Sequence, residues 1–308
     1  MRNDRLRQLT EGAVLAAIYA VFLVITLYIP VLGTLTLWLL PLPFILMVVR
    51  RGINSGIFLW FVTLALTMIV GGIISLPGTI MFGTGGLVTG YLYSKRKPAF
   101  LILLGGSLTY IANVVVVFIA SVLFFDINPL NEGQKLMEES IRQAASISKM
   151  LGQNNTEQMN MMLDMTRLIQ YLAPTFFVLM GIVLALISQI IATAVLRRFR
   201  FQPPEWKPFR EWTFPKSFLW YYLGVTILMM AGLEEGSMVY IATINLYYLL
   251  QVFIAVQGLA VIFYFSYAKN WPKIVPVILS VFALIFVSLV VILGIIDLGF
   301  NLRKRMKT

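Results

Sequence analysis

The stretch Gly12-Ala13-Val14-Leu15-Ala16-Ala17-Ile18-Tyr19-Ala20-Val21-Phe22-Leu23-Val24-Ile25-Thr26-Leu27-Tyr28-Ile29 contains no charged side chain. A helix needs about 20 predominantly apolar residues to cross the hydrocarbon core of a bilayer, so this stretch reads as a membrane-crossing helix. It is also longer than the apolar region of a cleavable signal peptide, about 7–15 residues. Comparable runs recur at 31–49, 53–73, 79–93, 98–125, 168–196, 216–233, 238–267 and 274–297. The expectation is an all-α polytopic membrane protein with about nine transmembrane helices, or eight if one late segment does not cross. Composition agrees: the 308 residues are 59% hydrophobic and 12% charged, with a mean hydropathy of +0.88, whereas soluble domains carry about 25% charged residues.

The chain has no histidine and no cysteine. Thiolate nucleophiles, disulfides, zinc and haem ligation by those residues, and Ser-His-Asp chemistry are thereby excluded. No Gly-x-x-x-x-Gly-Lys-Ser/Thr loop occurs, so the chain has no P-loop with which to hydrolyse ATP. The expectation is a protein that is not an enzyme and carries no cofactor and no metal.

The net charge of +11 reads as membrane topology, with a lipid bilayer and no nucleic acid as partner, because basic residues near the ends of short loops resist translocation. With the N-terminus inside, Arg2, Arg5, Arg7, Arg50, Arg51, Lys95–Lys97, Arg197–Lys216, Lys269 and Lys273 all fall on the cytoplasmic side. The outer side then holds the acidic loop 126–167 and a short hairpin carrying Glu234 and Glu235. A ninth crossing would leave Arg303, Lys304, Arg305 and Lys307 outside, and this sets eight spans against nine. The plainest location is a bacterial cytoplasmic membrane, multi-pass, with the N-terminus cytoplasmic.

The chain divides into a six-span bundle (1–196) with the long outer loop 126–167, a cytoplasmic basic-aromatic linker (197–215), and a C-terminal segment of two to three spans (216–308). In the outer loop, Leu136, Ile141, Ala144, Ile147 and Leu151 recur at helical spacing. A break at Gly152-Gln153-Asn154-Asn155 follows, and then Met159, Met162, Leu163 and Leu168. Two amphipathic helices satisfy that pattern, either as a surface hairpin or as a lid. The linker mixes cations with Phe and Trp, a composition that suits a membrane interface. The Gly-rich segment 79–93 reads as a helix packed against protein rather than lipid.

Small residues recur at spacing four as Gly12, Ala16 and Ala20 and as Ala13 and Ala17. This lets another helix approach closely, from the same chain or from a partner. Polar side chains in apolar runs mark interhelical hydrogen bonds or a solute site, and the candidates for a polar pocket are Tyr110, Asn113, Gln170, Thr175, Asn245, Tyr248 and Gln251. Glu234 and Glu235 read as a solvated turn. Asp297, alone near the end of the last apolar run, calls for a cation, with Arg303 or Lys304 in reach if the chain turns.

The basic N-terminus ending Leu9-Thr10-Glu11-Gly12, the small-residue first helix, the Leu40-Pro41-Leu42-Pro43 start of a helix that ends at Arg50-Arg51-Gly52, and the short Gly-rich fourth helix carry a resemblance. Over about residues 5–196 the chain resembles the substrate-binding S-component of energy-coupling-factor vitamin transporters. The resemblance implies a binder for a small hydrophobic or amphipathic solute, without its own ATPase. It further implies a coupling membrane subunit with ATPases docked on the first helix, carried over only to Ala13 and Ala17. The spans after residue 196 depart from that pattern. Through Gln257-Gly258 and the ending Leu293-Gly294…Asp297-Leu298-Gly299-Phe300-Asn301-Leu302-Arg303, the whole chain is similar to the YybS-like family of uncharacterised bacterial membrane proteins. The alternative to a transport subunit is a non-transporting scaffold or regulatory protein of the cell envelope that binds another membrane protein.

Overall fold

The computed structural model describes residues 2–150 and 156–305. Their regular elements are all helical: α1 Arg2–Tyr28, α2 Pro30–Thr36, α3 Leu42–Arg51, α4 Ile53–Gly71, α5 Leu76–Ser94, α6 Ala99–Phe125, α7 Pro129–Met150, α8 Thr156–Tyr171, α9 Ala173–Arg198, α10 Ser217–Met230, α11 Met238–Ala268, α12 Ile274–Ile285, α13 Val287–Phe300 and α14 Leu302–Arg305.

Among the described residues, seven stretches are long and apolar enough to cross a membrane: Leu6–Tyr28, Pro30–Arg51, Ile53–Gly71, Ile73–Ser94, Ala99–Phe125, Ala173–Arg198 and Met238–Ala268. The expected nine spans are corrected at two places. At 216–233, α10 has only 14 residues, about 21 Å of helix against about 30 Å of hydrocarbon. At 274–297, two helical axes differ by 113°, because Phe286 leaves the helical region at φ −112 and ψ 52. Counting that bent pair as one crossing gives up to eight.

The loop 126–167 forms the two expected helices, α7 and α8. Its expected break, Leu151 to Asn155, lies outside the described residues. Gln170 Nε2 donates to Gln134 Oε1 at 2.6 Å and Thr166 Oγ1 to Glu138 Oε1 at 3.4 Å, so the helices pair antiparallel. Because α8 continues to Tyr171, the sixth span begins at Ala173 and not at 168.

The chain forms two compact units: Met1–Glu132 with Phe176–Trp206, and Gly133–Thr175 with Lys207–Thr308. In the first, Tyr19, Phe44, Met47, Val48, Leu59, Phe82 and Tyr110 form the centre of a buried apolar cluster. Pro41 and Pro43 mark the start of α3, since proline fits the first turn of a helix where its missing N–H has no intrahelical partner. The Gly-rich α5 lies against α3 as expected. A Cβ at Gly86 would fall 2.7 Å from the Pro41 carbonyl oxygen, so only glycine allows this approach. In the second unit, Leu219, Tyr222, Val225, Leu250, Ile254, Val291 and Leu298 form the core shared by α10, α11 and α13.

Candidate functional site

The site is built on the crossing of α11 with α13. A Cβ at Gly258 would fall 2.1 Å from the Val290 carbonyl oxygen, and one at Gly294 would fall 2.1 Å from the Ile254 carbonyl oxygen. The contact is reciprocal: each helix sets a glycine under a carbonyl of the other, and in both helices the two positions are four apart. Backbone meets backbone there, the arrangement that small residues permit between membrane helices. Gln257 adjoins one glycine and Asp297 lies three residues beyond the other, so the crossing brings these two side chains together.

Asp297 is 3% exposed. Its Oδ2 accepts from Gln257 Nε2 at 2.6 Å and from Arg303 Nη2 at 2.7 Å and Nε at 3.0 Å. Its Oδ1 takes the Arg303 backbone N–H at 3.4 Å. The chain turns back to make this pair through Asn301, at φ 51 and ψ 55 in the left-handed region, where Asn is among the residues best tolerated. Arg303 is thus the cation that Asp297 calls for. The side chain of Lys304, the other candidate, lies outside the described residues.

The remaining donors of this network reach the linker. Arg303 Nη1 donates to the carbonyls of Arg210 at 2.9 Å and Trp212 at 2.8 Å, and the Phe214 N–H donates to Gln257 Oε1 at 3.0 Å. Around these bonds, the Arg210 guanidinium stacks 3.8 Å from the centre of the Tyr267 ring, Phe209 meets Phe263 edge-on at 5.2 Å, and Phe214 packs on Phe218 and Phe253. Residues 209–214 are therefore fastened by a buried charge pair, three hydrogen bonds to main chain and an aromatic bed. Glu211 and Thr213 within this segment, and Lys207, Pro208 and Lys216 flanking it, are exposed. Chemically the arrangement binds and orders. The Asp297 carboxylate is enclosed by donors, as a buried charge has to be.

The seven polar-pocket candidates are placed otherwise. In the first unit, Tyr110 is fully buried with its hydroxyl 3.0 Å from Ser188 Oγ, while Asn113 Nδ2 donates to Thr84 Oγ1 at 2.9 Å and to the Thr109 carbonyl at 2.7 Å. In the second, Thr175 and Asn245 come together. Asn245 Oδ1 accepts from the Thr175 N–H at 2.9 Å and hydroxyl at 2.7 Å, and its Nδ2 donates to the carbonyls of Tyr171 at 2.5 Å and Ile241 at 2.7 Å. Gln170 bonds Gln134 on the α7–α8 pair, Tyr248 stands edge-on to Tyr247 at 5.3 Å, and Gln251 is half-buried on α11. Of the seven, Thr175 and Asn245 are hydrogen-bonded to each other.

The small-residue set of α1 divides by face. Ala16 is buried, Gly12 and Ala20 are half-buried, and Ala13 and Ala17 are exposed. Glu234 and Glu235 are exposed in a turn, as read. Sequence reasoning missed a buried hydroxyl relay in the first unit. There the Tyr19 hydroxyl donates to Thr79 Oγ1 at 2.7 Å, and Thr79 Oγ1 is 2.8 Å from Thr67 Oγ1. Its signal is a tyrosine in mid-run on an apolar helix.

Comparison with known proteins places the chain among predicted membrane proteins. The profile of a family described as "Predicted membrane protein (DUF2232)" matches residues 17–298, a span that includes Gln257, Gly258, Gly294 and Asp297. A protein of Bacillus subtilis (strain 168), "Uncharacterized protein YybS", is 34% identical over 306 residues, covering 98% of this chain and 99% of that protein. No solved structure matches the chain.

Proposed function

We propose a partner-dependent, non-catalytic role for this chain, which belongs to the DUF2232 family of predicted membrane proteins and is an integral membrane protein. It serves as a scaffold or regulatory subunit of the bacterial cell envelope, and the linker segment 207–216 is the surface it offers to another protein. One observation carries this reading: the Asp297–Arg303 pair, buried beside Gln257, directs its spare donors to the main chain of Arg210 and Trp212. That use of a buried charge orders a loop and holds its exposed cations in place. In this reading the N-terminus and the linker are cytoplasmic, following the Lys and Arg distribution.

A second reading is favoured by a different observation. Six of the seven crossing stretches fall, but for residues 173–175, in the first compact unit, and Ala13 and Ala17 project outward from α1. This suits an S-component-like binder of a small hydrophobic or amphipathic solute, docked through α1 on a coupling subunit with ATPases.

One experiment separates the two. The tagged protein is purified from its native membrane in mild detergent, and bound proteins and small molecules are identified by mass spectrometry. Envelope proteins that are lost on Lys207→Glu with Lys216→Glu support the scaffold. Two ATPases, a coupling subunit and a small molecule, lost on Ala13→Trp with Ala17→Trp, support the binder. A preparation holding neither set rejects both.

A further inference from the structure

One end of the first unit gathers cations. Arg51 grips Glu11 through two hydrogen bonds, of 2.7 and 2.9 Å, and so joins the end of α3 to the start of α1. The Arg50 guanidinium lies 4.8 Å from the centre of the Phe199 ring, and the Tyr93 ring meets Phe201 edge-on at 6.4 Å. The ends of α3, α5 and α9 therefore coincide. At these ends Lys95, Arg96, Lys97, Arg197, Arg198 and Arg200 are all exposed. The chain leaves α9 through Arg200 at φ 61, with the Phe201 N–H on the Leu196 carbonyl at 3.2 Å. Beyond this turn Arg197, Arg200, Phe201, Gln202, Pro203 and Glu205 line an open cleft of about 690 Å³. Among the described residues, neither Arg197 nor Arg200 has an ion-pair partner.

We propose that this cleft binds the headgroup phosphate of an anionic phospholipid. It opens at the end of a membrane-crossing helix, the depth at which headgroups lie and at which basic residues meet them. Two guanidiniums supply planar forks of donors that match phosphate oxygens, and Gln202 adds a neutral donor. Phe201 and Pro203 offer an apolar wall to the glycerol and upper acyl carbons. Glu205 opposes the two arginines, so the lining carries one net positive charge, the complement of a single phosphodiester.

The test uses the full-length protein, delipidated in detergent and offered phosphatidylglycerol, phosphatidylcholine or inorganic phosphate, with native mass spectrometry counting what is retained. Phosphatidylglycerol is retained in preference to phosphatidylcholine. At about fivefold per cation near a lipid surface, Arg197→Gln with Arg200→Gln lowers its retention about twentyfold or more. Glu205→Gln raises it about fivefold, and this gain decides the matter alone if the double variant fails to fold. Lys269→Gln with Lys273→Gln removes as much charge elsewhere and leaves retention unchanged. Equal retention of phosphatidylcholine, an unaltered double variant, an equal loss in the Lys269 and Lys273 control, or full displacement of lipid by inorganic phosphate overturns the proposal. The last outcome assigns the cleft to free phosphate.

Discussion

The guanidinium of Arg303 sets two N–H donors on one oxygen of Asp297, at 2.7 and 3.0 Å, and uses its third donor position to hold two carbonyls of a loop about ninety residues earlier in the chain. Removing one member of a buried ion pair leaves an uncompensated charge and costs about 3–5 kcal/mol, whereas replacing both with apolar residues is often neutral. Arg303→Met should therefore lower the unfolding midpoint in detergent sharply and expose the 207–214 segment to limited proteolysis. Asp297→Leu with Arg303→Met should recover most of the midpoint while the loop stays cleavable. A single variant that melts with the parent protein would refute the clasp.

The α11–α13 crossing has no room for a methyl group. Overpacking in a tight contact costs about 1–3 kcal/mol, so Gly258→Ala and Gly294→Ala should each lower the midpoint, and Val at either place should lower it further. Gly133→Ala, where a Cβ meets nothing within 4 Å, serves as the control and should be neutral or slightly stabilising. Equal behaviour of all three alanine variants would remove the case for a backbone-to-backbone crossing.

Thr175 and Asn245 join the start of α9 to α11. Side-chain hydrogen bonds inside membrane proteins are worth about 0.6 kcal/mol on average and up to about 1.7. A double-mutant cycle of Thr175→Val and Asn245→Leu, read by thermal unfolding, should give a coupling energy toward the upper part of that range, because the pair shares more than one hydrogen bond. Strict additivity would show that the two residues do not act together.

Because the chain has no cysteine, single cysteines report sidedness without background. With the N-terminus inside, Ser94→Cys should react with a membrane-permeant maleimide only, and Ser140→Cys should also react with an impermeant one added to intact cells. The reverse pattern would invert the orientation, and with it the side on which the 207–216 surface lies.

Much of this architecture is legible in the run lengths of apolar residues, and the failures have definite causes. Val277 to Leu293 contains neither proline nor glycine, so nothing in composition announces the break at Phe286. The partner of Asp297 could be narrowed to Arg303 or Lys304, since only a few residues separate them. The carbonyls of Arg210 and Trp212 could not be foreseen, because a main-chain acceptor leaves no trace in side-chain identity. The seven polar residues read as one set because each sits in an apolar run. Once folded, neutral amides and hydroxyls take acceptors within reach on their own or an adjoining helix, as Thr175 and Asn245 do with each other. The two small-residue series of α1 are offset by one residue, about 100° around the axis. One therefore faces the helices of its own unit while the other faces away.

Were α10 to cross the membrane, the lipid beside it would meet a helix about 9 Å shorter than an average hydrocarbon core. Such a shortfall is met by local thinning of the membrane, at a cost of fractions of a kcal/mol per Å. The second unit should therefore be most comfortable among short or disordered acyl chains and be strained by long, saturated ones. The ease with which α10 and the residues leading into it hold their places then becomes a function of growth temperature and fatty-acid composition, a sensitivity that belongs to the length of one helix and to no residue in the site.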